Sequence, residues 1–263
     1  MNIKIASLVI KIKLLYKIKN VENYVTNLKE EYKIISYNDF NLNLVSPKIE
    51  NDYFSLYSFT DYNVLKINEG GYIKLESKNV YLYPTSAKNE YLLCQYAIDY
   101  LIQKYANGLT FHSSIIDYNG IGIAYTAKSG TGKSTQRMLF EKYYDVKCVN
   151  DDKNIIVLEN DELFVYSSPW SGKHNVNNNI RTKLKYILFI YQNDVPKLDE
   201  IDEINAFKLL LSQVGLAFDY SKDSWNRIID KMLSLRLYRF GTTVSKDSID
   251  IIKKKVDEDN ANK

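Results

Sequence analysis

The chain is poor in cysteine, with only Cys94 and Cys148 among 263 residues. Neither thiol stands at a metal-ligand spacing. Two isolated cysteines in apolar surroundings give no disulfide framework, which fits a reducing cytosol. Long apolar runs are lacking as well. Lys4, Lys11, Lys13 and Lys17 interrupt the apolar N-terminus, so neither a signal-peptide core nor a membrane span is expected there. Charge of one sign is not in excess: 35 Lys and Arg against 32 Asp and Glu leave a net charge of +3, too little to mark a nucleic-acid binder. No internal repeat, low-complexity linker or coiled-coil heptad is present. A soluble, cytoplasmic globular protein with no nucleic-acid or membrane partner is expected. The oligomeric state stays open, a homo-oligomer included.

Tyrosine is abundant, at 23 residues. Together with frequent Lys, Asn and Ile this fits AT-rich coding. Tyr53, Tyr57, Tyr62, Tyr72, Tyr81 and Tyr83 fall in a stretch read as β, where aromatic residues suit a half-buried sheet.

Periodicity outlines the elements. Residues 10–14 alternate at period two and read as a strand, with Ile3 and Ile5 suggesting an earlier start. Residues 21–32 carry a weak helical signal. Short strands follow over 53–83, punctuated by Gly70-Gly71 and Ser77-Lys78. Residues 90–105 predict a helix closed by Asn107-Gly108. Residues 111–118 and 121–126 flank Asn119-Gly120, the signature of a type I′ hairpin turn. Residues 146–149 read as a strand ending at Asn150-Asp151-Asp152. A second hairpin is expected around Asn160-Asp161, and a buried strand over 186–191. In the C-terminal part Ile204, Phe207, Leu211 and Val214 are read as one inward helix face. Trp225, Ile228 and Met232 form another, with Ser221 as candidate N-cap. A strand over 235–240 and a helix carrying Ile249, Ile252 and Val256, with Ser245 as candidate cap, complete the chain. Residues 258–263 are expected to fray.

The chemistry concentrates at Ala127-Lys128-Ser129-Gly130-Thr131-Gly132-Lys133-Ser134-Thr135. The run matches G-x-x-x-x-G-K-[ST] except that Ala127 replaces the first glycine. Gly130 and Gly132 permit positive φ, so successive N–H groups can turn inward around an anion. Lys133 supplies a compact cation for the β/γ-phosphates, and the Ser134 hydroxyl can ligate Mg²⁺. A strand over Ile121–Thr126 enters the loop, and a helix with Met138 and Leu139 as apolar contacts leaves it. The order strand, loop, helix separates a nucleotide site from a chance Gly/Ser/Thr loop. Asp151 and Asp152 follow an apolar strand 18 and 19 residues after Lys133. Carboxylates there can hold Mg²⁺ opposite the loop or take the proton of an attacking hydroxyl. Only one helix fits in that interval. No LSGGQ-like signature accompanies the loop; Leu211-Ser212-Gln213-Val214-Gly215 lacks its glycine pair, which excludes an ABC-type ATPase. His112 is a lone histidine that either packs structurally or orients a carboxylate. Trp170 reads as a core anchor. Lys173, His174 and Arg181 are either phosphate contacts or surface charges.

The segment from His112 through Thr135, with Asn150-Asp151-Asp152, resembles the HPr kinase/phosphorylase-related kinases. Ser168-Pro169-Trp170-Ser171-Gly172 is similar to a Pro-Trp loop of the branch associated with peptide biosynthesis. The resemblance implies an α/β fold of the phosphoenolpyruvate carboxykinase type with a mixed sheet. It divides the chain into a β-rich, candidate substrate-binding region 1–85 and a P-loop kinase core 86–257. It implies ATP and Mg²⁺ as cofactors and a peptide or protein with an acceptor serine as partner. Lys133 would neutralise the transferring phosphoryl group and Ser134 would hold the metal. One of Asp151 and Asp152 would be the base and the other a metal partner, with His112 beside them. The family's glycine-rich motif with a further metal-binding Glu is not recognisable, which leaves phosphorylase activity without a basis. A non-catalytic nucleotide-binding subunit and a kinase of a free small molecule such as an amino acid remain the alternatives.

Overall fold

The computed structural model describes residues 1–16, 20–68, 70–172, 174–215 and 223–261. The chain divides into two compact units, Met1–Ala106 and Asn107–Lys263. The sequence reading put the division at residue 85. It falls later because the helix over 87–105 packs on the first sheet.

The first unit holds β1 (Asn2–Ile5), β2 (Leu8–Lys13), β3 (Tyr32–Ser36), β4 (Ile49–Glu50), β5 (Phe54–Ser58), β6 (Asn63–Ile67), β7 (Gly71–Glu76), β8 (Asn79–Pro84) and α1 (Ala87–Tyr105). The strands form one mixed sheet in the order β1-β2-β3-β8-β7-β6-β5-β4. The pairs β2/β3 and β3/β8 are parallel. Period-two alternation decides the faces. Ile73, Leu75, Val80 and Leu82 are buried, while Tyr72, Tyr81 and Tyr83 stand half-buried on the other face. Ser86 caps α1 by accepting the Asn89 N–H. Inside this unit Glu90 is buried and accepts the N–H groups of Leu15 and Tyr16, each at 2.8 Å.

Two expectations change here. The N-terminal strand is a hairpin, because the chain turns between β1 and β2 with Ala6 at φ 51°, a conformation nothing in the local sequence signals. The helical signal over 21–32 yields only a 3₁₀ turn, Glu22–Tyr24. Val25, which would extend it, bridges Ile3 instead.

The second unit holds β9 (Gly108–His112), β10 (Ser114–Tyr118), β11 (Ile121–Thr126), α2 (Lys133–Tyr143), β12 (Lys147–Asn150), β13 (Lys153–Glu159), β14 (Glu162–Tyr166), β15 (Arg181–Gln192), β16 (Lys197–Glu200), α3 (Glu203–Leu211), α4 (Asp223–Leu233), β17 (Arg236–Thr242) and α5 (Lys246–Ala261). Its sheet runs β12-β10-β11-β15-β14-β13-β9, with β17 on β15 and β16 on β17. The strands β11, β15 and β17 are parallel. The fold is therefore mixed α/β. Ala206 and Leu210 of α3 and Ile228 and Met232 of α4 share one core with Phe111, Ala124 and Ile187. Phe140 of α2 and Ile252 and Val256 of α5 share the other with Ile123, Tyr125 and Leu188. Among the described residues no helix is long and apolar enough to cross a membrane.

Asn119 and Gly120 take φ 54° and 80°, as the type I′ turn between β10 and β11 requires. The strand expected over 111–118 breaks at Ser113. Phe111 and His112 belong to β9 and pair with β13, whereas β10 pairs with β11 and β12. The break is held by the buried Ser113 N–H donating to Asp152 O at 2.9 Å. In α2 Met138 is exposed, Leu139 packs partly buried against the core as expected, and the fully buried apolar contact is Phe140. In α3 the first half of the expected inward face points out, whereas Val214 packs against the core. Ile204 is 68% and Phe207 41% exposed, because Ala206 and Leu210 take the core side and Val214 pairs with Phe111 beyond the helix. The Ser221 cap lies outside the described residues. The tail expected to fray from residue 258 is helical to Ala261. Tyr186 and Arg236 hold Asp259 there, and Tyr118 holds Asp257 two residues earlier. Cys94 and Cys148 are free and buried, and burial pushes the Cys148 thiol up to about 12.

Candidate active site

The 127–132 loop leaves the carboxyl end of β11 and enters α2. This is the end of a parallel sheet where ligands bind in open α/β folds. Gly130 takes φ 84° and Gly132 φ 115°, so both positions demand glycine. A Cβ at either would stand in open space, so the positive φ and not crowding is what favours glycine there. Gly132 is the N-cap of α2 and no side chain caps the helix. Its first-turn amides therefore have no acceptor within the helix and are available to an anion. Lys128, Ser129 and Gly130 are exposed, and Ala127, Thr131, Gly132, Ser134 and Thr135 are half-buried. Lys133 is buried and curls back to donate to Ala127 O at 2.8 Å and Lys128 O at 3.4 Å.

The two aspartates differ sharply. The Asp151 carboxylate is fully buried. Its Oδ1 accepts the Ser114 hydroxyl at 2.6 Å and lies 3.4 Å from Arg137 Nε, an ion pair by distance without hydrogen-bond alignment. Asp151 Oδ2 is buried with no hydrogen-bond partner. The Asp152 side chain is 32% exposed and its Oδ1 lies 3.3 Å from His112 Nε2. Desolvation raises the Asp152 carboxyl above its ordinary range and Asp151 adds to the rise, while Lys153 and Lys133 oppose it. Lys133 is pushed down, chiefly by burial and further by Lys153, against the pull of both aspartates. Burial first, then Lys133 and Lys153, lowers His112 to about 4. The ring is neutral at pH 7, so its contact with Asp152 is not an ion pair there.

A frame of buried amides and hydroxyls shapes the aspartate turn. Asn150 Nδ2 donates to Ser168 O at 2.8 Å, while its Oδ1 accepts the Asp152 N–H at 3.1 Å. Asn154 Nδ2 donates to Ser113 O at 2.6 Å. Ser168 Oγ donates to Lys153 O, and the buried Trp170 offers its carbonyl to Lys153 N at 3.2 Å. Gly172 brings the same loop against the backbone of Asp151 and the Cβ of Asp152, 3.4 Å from where its own Cβ would be. Asn150→Leu would strand the buried Ser168 carbonyl and the partly buried Asp152 amide. Each such group costs about 1–3 kcal/mol, so a melting or denaturant curve is expected to show a loss of roughly 2–5 kcal/mol.

The structure thus brings Lys133, Asp151, Asp152 and His112 to one place. His112 arrives from the end of β9, paired with Lys153 of β13, and not from the start of a hairpin. Arg181 does not join them. His174 is exposed, and Arg181 sits at the opposite end of β15, bonded to Glu159 and Tyr166 with its guanidinium 3.4 Å over the Phe164 ring. Lys173 lies outside the described residues. The sequence reading missed Ser114, Arg137, Lys153, Asn154 and Gln213. Arg137 alone carried a signal, one helical turn after Lys133. Among the described residues no three His, Cys, Asp or Glu side chains gather as a metal cluster.

No protein-family model matches this chain, and no curated protein matches it in sequence. Among solved structures the chain is similar to the HPr(Ser) kinase/phosphatase from Coxiella burnetii, at 12% identity. That match covers 58% of this chain and 97% of the other, with a TM-score of 0.32.

Proposed function

We propose that this chain is an ATP- and Mg²⁺-dependent kinase that transfers the γ-phosphoryl group to a hydroxyl, foremost a serine of a peptide or protein. In this reading the second unit is a phosphoenolpyruvate carboxykinase-like P-loop core of the HPr kinase kind. One observation carries it. A loop with two positive-φ glycines presents a buried lysine that titrates in the field of two carboxylates from the turn after β12. An anion cradle and a proton acceptor at one place are what phosphoryl transfer requires of a protein.

The loop amides and Lys133 would bind the phosphates. Lys133 would exchange its bonds to the Ala127 and Lys128 carbonyls for phosphate oxygens. Ser134 and the partnerless Asp151 Oδ2 suit Mg²⁺, a hard ion satisfied by a few protein oxygens and substrate phosphates. When bound, it would offset negative charge developing on the phosphates. Asp152 is the better base, being the partly exposed one, whereas Ser114 and Arg137 hold Asp151. Asp152 would take the acceptor's hydroxyl proton. The oxygen's electron pair would then form the new bond to phosphorus as the bond to ADP breaks. Lys153, beside His112 and partly exposed, adds a second cation for the phosphoryl group. The first unit would recognise the acceptor; it carries a cleft of about 240 Å³ lined by Tyr37, Asp39, Asn41, Leu42 and Tyr83.

The test is incubation with γ-labelled ATP, Mg²⁺ and a library of serine peptides, with free amino acids as a second acceptor set. Label in peptide is expected. Label only in free amino acids would move the acceptor to the small-molecule class. Tight ATP binding with no labelled product from either set would overturn the kinase reading in favour of a non-catalytic nucleotide-binding subunit.

A further inference from the structure

Gln213 follows the last turn of α3 and is buried. Its stretch lies antiparallel along β9. The His112 N–H donates to Gln213 O at 2.8 Å, the Gly215 N–H to Thr110 O at 2.8 Å, and Phe111 bridges Val214. Main-chain pairing thus places Gln213 beside His112. The side chain adds a second contact, with Gln213 Oε1 3.1 Å from His112 Nδ1.

Which end of the amide faces the ring follows from its other neighbour. Ser212 Oγ donates its only proton to Leu209 O at 2.7 Å. Toward Gln213 it can therefore only accept, and it takes the Nε2 N–H at 2.9 Å. The amide oxygen then points at His112, so Nδ1 is the ring's donor. A neutral imidazole has one ring proton, so Nε2 turns a bare lone pair toward Asp152. Two bare electron pairs do not attract, so this 3.3 Å contact becomes a hydrogen bond only when Asp152 carries a proton.

We propose that Gln213 is a positioning residue that fixes His112 as the Nδ1–H tautomer and aims the unprotonated Nε2 at Asp152. Nε2 then stands as the hydrogen-bond acceptor for Asp152 once that carboxyl has drawn the proton of the acceptor hydroxyl. The tautomer assignment stands on the hydrogen bonds of the Gln213 amide and on a neutral ring; its catalytic consequence rests on the phosphoryl-transfer reading above.

The chain has two histidines, so His174→Gln leaves His112 as the sole imidazole in ring ¹⁵N NMR spectra of the full-length, nucleotide-free protein. An Nδ1–H pattern is expected. Gln213→Met keeps the side-chain length without the carbonyl, and is expected to switch the ring to Nε2–H. It should lower kcat by about 10–100-fold, the usual scale for an orienting partner, with KM for ATP within about twofold. Gln213→Glu restores an acceptor toward Nδ1, so the Nδ1–H pattern and most of kcat should return. An Nε2–H ring in the otherwise unaltered chain would overturn the assignment. So would a Gln213→Met protein whose ring pattern and kcat are both unmoved. An Nδ1–H ring in a chain that labels no acceptor would overturn the kinase reading and uphold the tautomer.

Discussion

Asp152→Asn is expected to reduce phosphoryl transfer by about 10²–10⁴-fold, the range supplied by a positioned general base. Nucleotide affinity should stay within a few-fold. The amide keeps the volume and the polarity but cannot take the acceptor's proton. Its neighbour makes a poor substitute, because the Asp151 carboxylate is wholly buried and already accepts the Ser114 hydroxyl. The pH profile carries the same assignment. Burial disfavours the Asp152 anion, so a higher pH is needed to create it. The acid limb of kcat is therefore expected above the ordinary aspartate value of about 3.9. Lys153 favours the anion, so Lys153→Met should push the limb higher still. Single-turnover rates across pH, with ATP affinity measured alongside, would check both statements. Undiminished transfer by the Asn variant would remove Asp152 from the mechanism.

Lys133→Met is expected to have the second largest effect. Methionine fills much of the buried space of the lysine stem but carries no charge and cannot donate to a phosphate. Loss of one preorganised donor to developing charge typically costs about 10²–10³ in kcat. ATP affinity should also fall, which separates this variant from Asp152→Asn. Fold stability without nucleotide is not expected to suffer. The Lys133 ammonium is desolvated, and among the described residues its hydrogen bonds go to carbonyls of its own loop. The readout is therefore ligand-dependent stability. A ligand present at 100 times its Kd stabilises the native state by about 2.7 kcal/mol, and that gain should vanish with the lysine. A melting point that still rises with ATP as in the unaltered protein would place the nucleotide elsewhere.

Much of the local structure was open to a reader of the sequence because its signals are local. The loop from Ala127 to Thr135 is set by two glycines and a lysine within nine consecutive residues. The turn at Asn119-Gly120 and the alternation over β7 and β8 are equally self-contained. What sequence alone obscured depends on distant partners. Residues 111–118 look like one strand, yet Ser113 breaks it because its amide finds the Asp152 carbonyl. The apolar stripe of α3 reads as a core face by spacing, yet Ala206 and Leu210 take that role and leave Ile204 and Phe207 outside. A 3.6-residue period gives an apolar stripe but not its direction when two stripes compete.

The chain's order of residues, taken alone, determined that a glycine-containing loop follows a strand and precedes a helix, and that two acids come soon after. Those are properties of neighbouring residues, and backbone sterics and helix geometry enforce them wherever the segment folds. Tertiary structure alone decided which acid is sealed and which is reachable, and that His112, Lys153 and Gln213 meet beside the reachable one. Burial, electric field and tautomer depend on groups up to a hundred residues apart, and only the folded sheet brings them within a few ångströms of one another.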